Sequence, residues 1–255
     1  MSPRVNPNRE IFQSPIVQFV QAVIDVTEPL PVAAHAQLFD SARSAFPTAS
    51  VQFGAGWRHG PAGPDPMLFA FASEGDSAVL FSHSVIAETV RYERFERFAD
   101  HVQAAADLID ELPGVDPLAV TLRYVDEIRL PNPEPALNDF ALFVNFPVHP
   151  SGPLGQRSTQ AAGVWTFTTR DGCAVVMEWA YTQAPAIDPG HPLSAWYTAP
   201  DRAVLVLDWT CHQELSGTHP DVPTALTAAY GAIKECFDEV VTDDCRALMR
   251  HEEAQ

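Results

Sequence analysis

The stretch VTLRYVDEIRL, from Val120 to Leu130, limits what this chain can fold into more than any other. Val120, Leu122, Tyr124, Ile128 and Leu130 alternate with Thr121, Arg123, Glu127 and Arg129, the period of two that marks a strand with one buried face. Asp126 breaks the pattern, because without a bulge its carboxylate points the same way as the five apolar side chains. A buried carboxylate costs several kcal/mol unless it is paired. Asp126 is therefore expected to be held by backbone amides, a hydroxyl or a charged side chain from a neighbouring element. Arg123 projects to the opposite face, so its partners must lie elsewhere.

Such a strand needs neighbours, and the chain has the length and apolar content to supply them. With 255 residues and 46% hydrophobic content it can build a substantial core, as one large domain or two small ones. Fifteen basic against 33 acidic residues leave a formal charge of −18, which opposes nonspecific attraction to nucleic acid or to an anionic membrane. Lys234 is the only lysine. No charged-then-apolar leader opens the sequence, and no apolar run approaches the roughly 18 residues that span a bilayer, so a cytoplasmic protein is expected. Cys173, Cys211, Cys236 and Cys245 form no C-x-x-C pair and read as free thiols in a reducing compartment.

Taken in order, the chain reads as α+β, with curved antiparallel sheet packed on long amphipathic helices. Residues 1–14 read as a loose arm, and Pro15 opens a first strand, PIVQFVQAVIDV. A helix is expected over 31–46, a strand over 50–58, and a hairpin of 67–73 and 78–83 around Glu74-Gly75-Asp76. Phe95, Phe98, Val102, Ala105, Ile109 and Leu112 place one apolar stripe on a helix over 92–112. After Leu130, three prolines in PNPEP rule out helix or sheet, so 131–139 reads as a linker between an α+β half at 15–130 and another at 140–255, unless one sheet is shared by both. The second half predicts strands at 140–148, 163–170, 173–182 and 203–212, with Asp171-Gly172 as a two-residue turn. A Pro-rich loop at 184–200 and a helix from Val222 capped by Asp221 follow, then a short segment capped by Thr242.

Residues able to do chemistry are few. Asp126, Glu178 and Asp208 are candidate catalytic carboxylates because they stand in otherwise apolar strands, though nothing in their spacing sets them at a working separation. Arg91, Arg94 and Arg97 recur every three residues, a candidate binding stripe on one helix face, and Arg123 is a further binding candidate. The His and Cys spacings match neither C-x-x-C nor H-E-x-x-H patterns, so no metal is expected. There is no G-x-S-x-G elbow and no phosphate-cradling glycine loop, so neither that nucleophile nor a nucleotide cofactor is expected. The polar loop 151–162 has the composition of a lid or partner contact.

Several motifs in fixed order carry a resemblance: PIxxxxxxI near the start, YERFERF, LRYVDEI, VLVLDWT and the closing CFDEVVTDDCRALM. This pattern resembles a sporadically distributed bacterial family with an LRYxNxI-type central strand, for which no activity is established. The resemblance spans nearly the whole chain and implies an accessory protein, linked to mobile elements or to defence against phage, with no catalytic residues to carry over. Asp126 departs from the pattern, where Asn is usual. Together with the missing catalytic motifs, this leads to the expectation of a protein that is not an enzyme and works through a protein partner or self-association. The alternative is a small-molecule binder or enzyme with a carboxylate-lined pocket between sheet and helices.

Overall fold

In the computed structural model of the chain, residues 16–46, 49–53, 57–60, 63–110, 112–132, 134–146 and 160–251 are described. The arm at 1–14 and the polar loop as far as residue 159 lie outside them. Among the described residues ten strands form: β1 (Val17–Val26), β2 (Ser50–Phe53), β3 (Trp57–Gly60), β4 (Gly63–Ser73), β5 (Asp76–Phe81), β6 (Ser84–Thr89), β7 (Pro117–Ile128), β8 (Ala161–Thr168), β9 (Ala174–Thr182) and β10 (Val204–Glu214). Nine pair in the order β2-β4-β5-β6-β1-β7-β10-β9-β8, every contact antiparallel, while β3 pairs only with the start of β4. The fold is α+β, and β7, the strand that constrained it, lies at the middle of the sheet with β1 and β10 at its sides. Because β10 comes from the second half of the chain, the sheet is continuous across the proline-rich segment.

Among the described residues four α-helices accompany the sheet: α1 (His35–Ala45), α2 (Phe95–Asp110), α3 (Val222–Val240) and α4 (Asp243–His251). α2 contacts β6, and α3 contacts β7, β10 and β9. The apolar stripe of α2 is buried as its spacing requires, and Phe95 stacks on Tyr230 of α3 at 4.0 Å between ring centroids. The Asp221 side chain caps α3 by accepting the Thr224 amide at 2.8 Å. Thr242 does the same for α4, accepting from the amide of Cys245. Among the described residues no helix is long and apolar enough to cross a membrane.

Several boundaries differ from expectation for local reasons. Over 140–146, the described part of the strand expected at 140–148, no strand forms; Leu137–Leu142 is a 3-10 helix whose Asp139 carboxylate accepts the amide of Ala136, and Val144 makes one isolated bridge to Val241. The strand expected at 50–58 is two short strands, β2 and β3. β6 follows β5 through Ser82-His83, a turn without Gly or Asn that Asp65 of β4 completes. The Asp65 carboxylate accepts from the His83 amide at 2.8 Å and from the hydroxyls of Ser82 and Ser84, both at 2.9 Å. At Asp171-Gly172 the loop is longer than two residues: Thr169 and Cys173 pair by backbone, and Gly172 takes φ +82°.

The two faces of the sheet differ along its length. One face lies beneath the helices and forms the main core, with Val20, Leu122, Tyr124, Trp209 and Met177 among its residues. On the other face, the β4-β5-β6-β1 side is also buried, with Val23, Ala70, Val79, Phe81 and Ile86 in one cluster. The loop at 183–203 lies across its middle and packs Ile187 and Leu193 on Phe19 and Val125. Beyond this strap, no segment among the described residues lies over β10, β9 and β8. Burial along β9 alternates, with Val175, Met177, Trp179 and Tyr181 buried on the helix face and Glu178 exposed on the other.

Candidate functional site

Antiparallel register places Ser77, Glu88, Gln21, Arg123, Thr210, Val176 and Thr166 in one row across the helix-free face. The row passes from the buried side, under the edge of the strap, onto the open side. Glu88 is fully enclosed and keeps three partners: its carboxylate accepts Gln21 Nε2 at 2.6 Å and Ser77 Oγ at 2.7 Å, and meets His191 Nε2 of the strap at 3.3 Å. Burial alone would raise its pKa. The hydrogen bond and charge of His191, with the Ser77 and Gln21 bonds, outweigh that and hold it below the usual carboxylate value.

Arg123 stands next in the row, where the covered side gives way to the open one. It grips Asp208 with both prongs, Nε to Oδ1 at 2.8 Å and Nη2 to Oδ2 at 2.6 Å, and its guanidinium lies 5.7 Å from the Phe19 ring centroid. Phe19 in turn meets His191 edge-on at 5.8 Å. The pair is half-buried, with the Arg123 side chain 35% and Asp208 21% exposed. Glu178 is level with Asp208 on β9, and Val164 on β8, 64% exposed, completes that row. Thr166, Val176, Thr210 and His212 lie on the same face.

A second anchor fixes the strap. Glu127, buried on the same face, accepts a short hydrogen bond from the Tyr197 hydroxyl and two from Arg129, whose Nη2 also donates to the Thr198 carbonyl at 2.8 Å. Burial and donation to Glu127 push the Tyr197 hydroxyl pKa up. The strap is thus tied by His191 to Glu88 and by Tyr197 to Glu127, both ties ending on buried carboxylates.

The three candidate carboxylates do not come together. Asp126 is on the helix face with Trp209, while Glu178 and Asp208 are on the other, so no single pocket between sheet and helices holds all of them. The partner of Asp126 is none of the expected groups: its Oδ2 accepts the indole N–H of Trp209 at 2.9 Å, and its Oδ1 has no hydrogen-bond partner among the described residues. Burial raises its pKa to about 7, against the pull of the Trp209 bond and with a further push from Asp208. Cys245 lies close enough that burial and the Asp126 charge push its thiol to about 12. At neutral pH it is a thiol, a poor nucleophile.

The arginine stripe is also rearranged. Arg91 and Arg94 precede α2, and only Arg97 is on the helix, paired with Glu93 at 2.5 Å. The three still meet, because all line one small cavity beside the β4-β5 turn. Among the described residues no group of three or more His, Cys, Asp or Glu side chains is placed to hold a metal ion. Glu88, His191 and Tyr197 went unanticipated. Glu88 is a carboxylate in the apolar run SVIAET, the signal that singled out Asp126, but its strand was not foreseen; His191 and Tyr197 sit in an aperiodic proline-rich loop that carries no such signal.

A scan of protein-family models finds none that matches the chain, and a search of curated proteins finds no match either.

Proposed function

We propose that this is a non-enzymatic accessory protein that binds a macromolecular partner through the open part of the helix-free face. The observation that carries this reading is the half-covered sheet. The strap packs on Phe19 and Val125 at the middle of that face, yet β10, β9 and β8 expose Val164, Thr166, Glu178 and His212 around the Arg123–Asp208 pair. A broad surface of β-branched and small side chains around a few charges has the make-up of a protein-binding patch. The buried polar groups of the site are committed to holding the sheet and strap: Glu88 and Glu127 each carry several hydrogen bonds from neighbouring elements. With Arg123 neutralised by Asp208, Glu178 leaves the surface acidic, in keeping with the chain's −18, so a partner presenting a basic surface fits best. The likeness of its motifs to those of a bacterial accessory family supports the same reading.

Carboxylate footprinting tests it. The protein is purified gently from its native host and labelled with a carboxyl-directed reagent before and after salt strips associated proteins. Protection of Glu178 before stripping, with the exposed Glu93 just ahead of α2 labelled equally in both samples, is the expected result. Equal labelling of Glu178 in both samples would rule out this face as the contact.

A further inference from the structure

We propose that the cavity beside the N-terminal turn of α2 binds a small oxyanion of the phosphate type, free or as the terminal phosphate of a larger ligand. It is independent of the partner surface. Three exposed arginines, Arg91, Arg94 and Arg97, line it together with Asp76, Glu93 and His101, and its volume is about 70 Å³. That suits a small ion and falls short of the roughly 300 Å³ or more of a drug-sized ligand site.

Charge pairing makes the cavity an anion site. Glu93 is used by Arg97, at 2.5 Å. Asp76 and Glu74 also act on Arg97, after Glu93, so the acidic groups beside the cavity are spent on Arg97. The guanidinium groups of Arg91 and Arg94 have no ion pair or side-chain hydrogen bond among the described residues. In a chain with 33 acidic against 15 basic residues, two unpaired arginines on one cavity are out of keeping with the general charge balance. Their fork of N–H donors suits the oxygens of phosphate.

Arg91 is also positioned by the fold. Gly75, at φ +92°, ends the β4-β5 turn, and a Cβ built there would stand 2.8 Å from Arg91 Cγ and 2.9 Å from its Cδ. The arginine stem therefore rests on bare glycine backbone. The backbone bond from the Val90 amide to the Gly75 carbonyl, 2.9 Å, ties the same two segments. On the far wall, His101 is held by Nε2 donating to the Ser77 carbonyl at 2.9 Å and by edge contact with Phe46. The site is thus built from a turn, a strand end and a helix start whose relative placement is fixed before any ligand arrives.

Calorimetric titration of the full chain with inorganic phosphate, at ionic strength held constant with chloride, tests this. A saturable site of millimolar or tighter affinity is expected. R94Q and R91Q should each weaken it about tenfold or more, and R170Q, at an exposed arginine paired with Glu235, should leave it unchanged. R94Q removes a side chain with no hydrogen-bond or ion-pair partner among the described residues, so its fold is not at risk; circular dichroism and an unchanged melting temperature confirm that for each variant. Phosphoserine binding at least as tightly as phosphate would assign the site to a phosphorylated ligand, and much weaker binding to the free ion, while both support the oxyanion site. No saturable heat with either probe, or phosphate binding equal in wild type and R94Q, would overturn it.

Discussion

A carboxyl group that is fully buried, accepts one indole N–H and titrates near 7 makes the stability of this fold depend on pH. The folded chain holds the Asp126 proton up to about pH 7, whereas the unfolded chain releases it near its ordinary value of 3.8. Asp126 therefore contributes its stabilising term in full below about pH 4, and that term is lost as pH rises to about 7, for a total of order 2–4 kcal/mol. Asp126→Asn keeps the shape and the acceptor for Trp209 but cannot ionise. The difference in urea-unfolding free energy, variant minus wild type, should therefore grow between pH 4.5 and pH 8 by about 2 kcal/mol or more; a flat difference would show that Asp126 does not titrate in this range. The oddness of Asp126 was legible in the alternation around it. Its partner was not, since Trp209 is 83 residues away and nothing local records which strand will lie alongside. The same holds for Arg123, whose projection away from Asp126 was readable while its pairing with Asp208 depended on register between two distant strands.

At the scale of elements, the tight turns and the strap have separable costs. Gly75 and Gly172 both adopt positive φ, but a Cβ at Gly172 meets nothing within 4 Å, whereas one at Gly75 strikes Arg91. Gly172→Ala should cost about 1 kcal/mol, the strain of the left-handed region alone. Gly75→Ala should cost at least about 1 kcal/mol more, because Arg91 must also move; equal losses in chemical denaturation would show that Arg91 does not rest on the turn. For the strap, Tyr197→Phe removes the bond to Glu127 and the acceptor for the Ala186 amide at 2.9 Å. Amide exchange over 184–200 should quicken markedly while global stability falls only about 1–3 kcal/mol. Unchanged exchange there would mean that Ile187 and Leu193 hold the strap unaided. Helices α2 and α3 were readable from stripes such as Phe95, Phe98, Val102 and Ile109, since a period near 3.6 is local information. β6 was hidden because its turn takes its stabilising acceptor, Asp65, from another strand. The strand read into 140–148 is preceded and overlapped by a 3-10 helix, Leu137–Leu142, closed by Asp139 within its own first turn.

For the whole molecule, a sheet of this breadth can be covered on both sides only where chain is available to do it. Helices lie beneath both halves, the strap crosses the middle of the other face on Phe19 and Val125, and among the described residues no segment lies over β10, β9 and β8 beyond it. That asymmetry was not legible beforehand, because the alternating pattern of β9 and β10 says that one face is wet without saying how much of the sheet stays so. It is also the basis for reading the protein as a partner-binding one. The most direct measurement compares what the wild-type chain and two variants recover from the native host at equal expression, by quantitative mass spectrometry. One variant, V164R/T166R/E178R, reverses the charge of the open face without touching a buried side chain; the other, E96R/Q103R, alters the outer surface of α2. At matched melting temperatures, the same associated protein should be recovered with wild type and with the α2 variant and lost at least tenfold with the open-face variant. Recovery of that protein undiminished by V164R/T166R/E178R, or recovery of the chain alone in every case, would contradict the account.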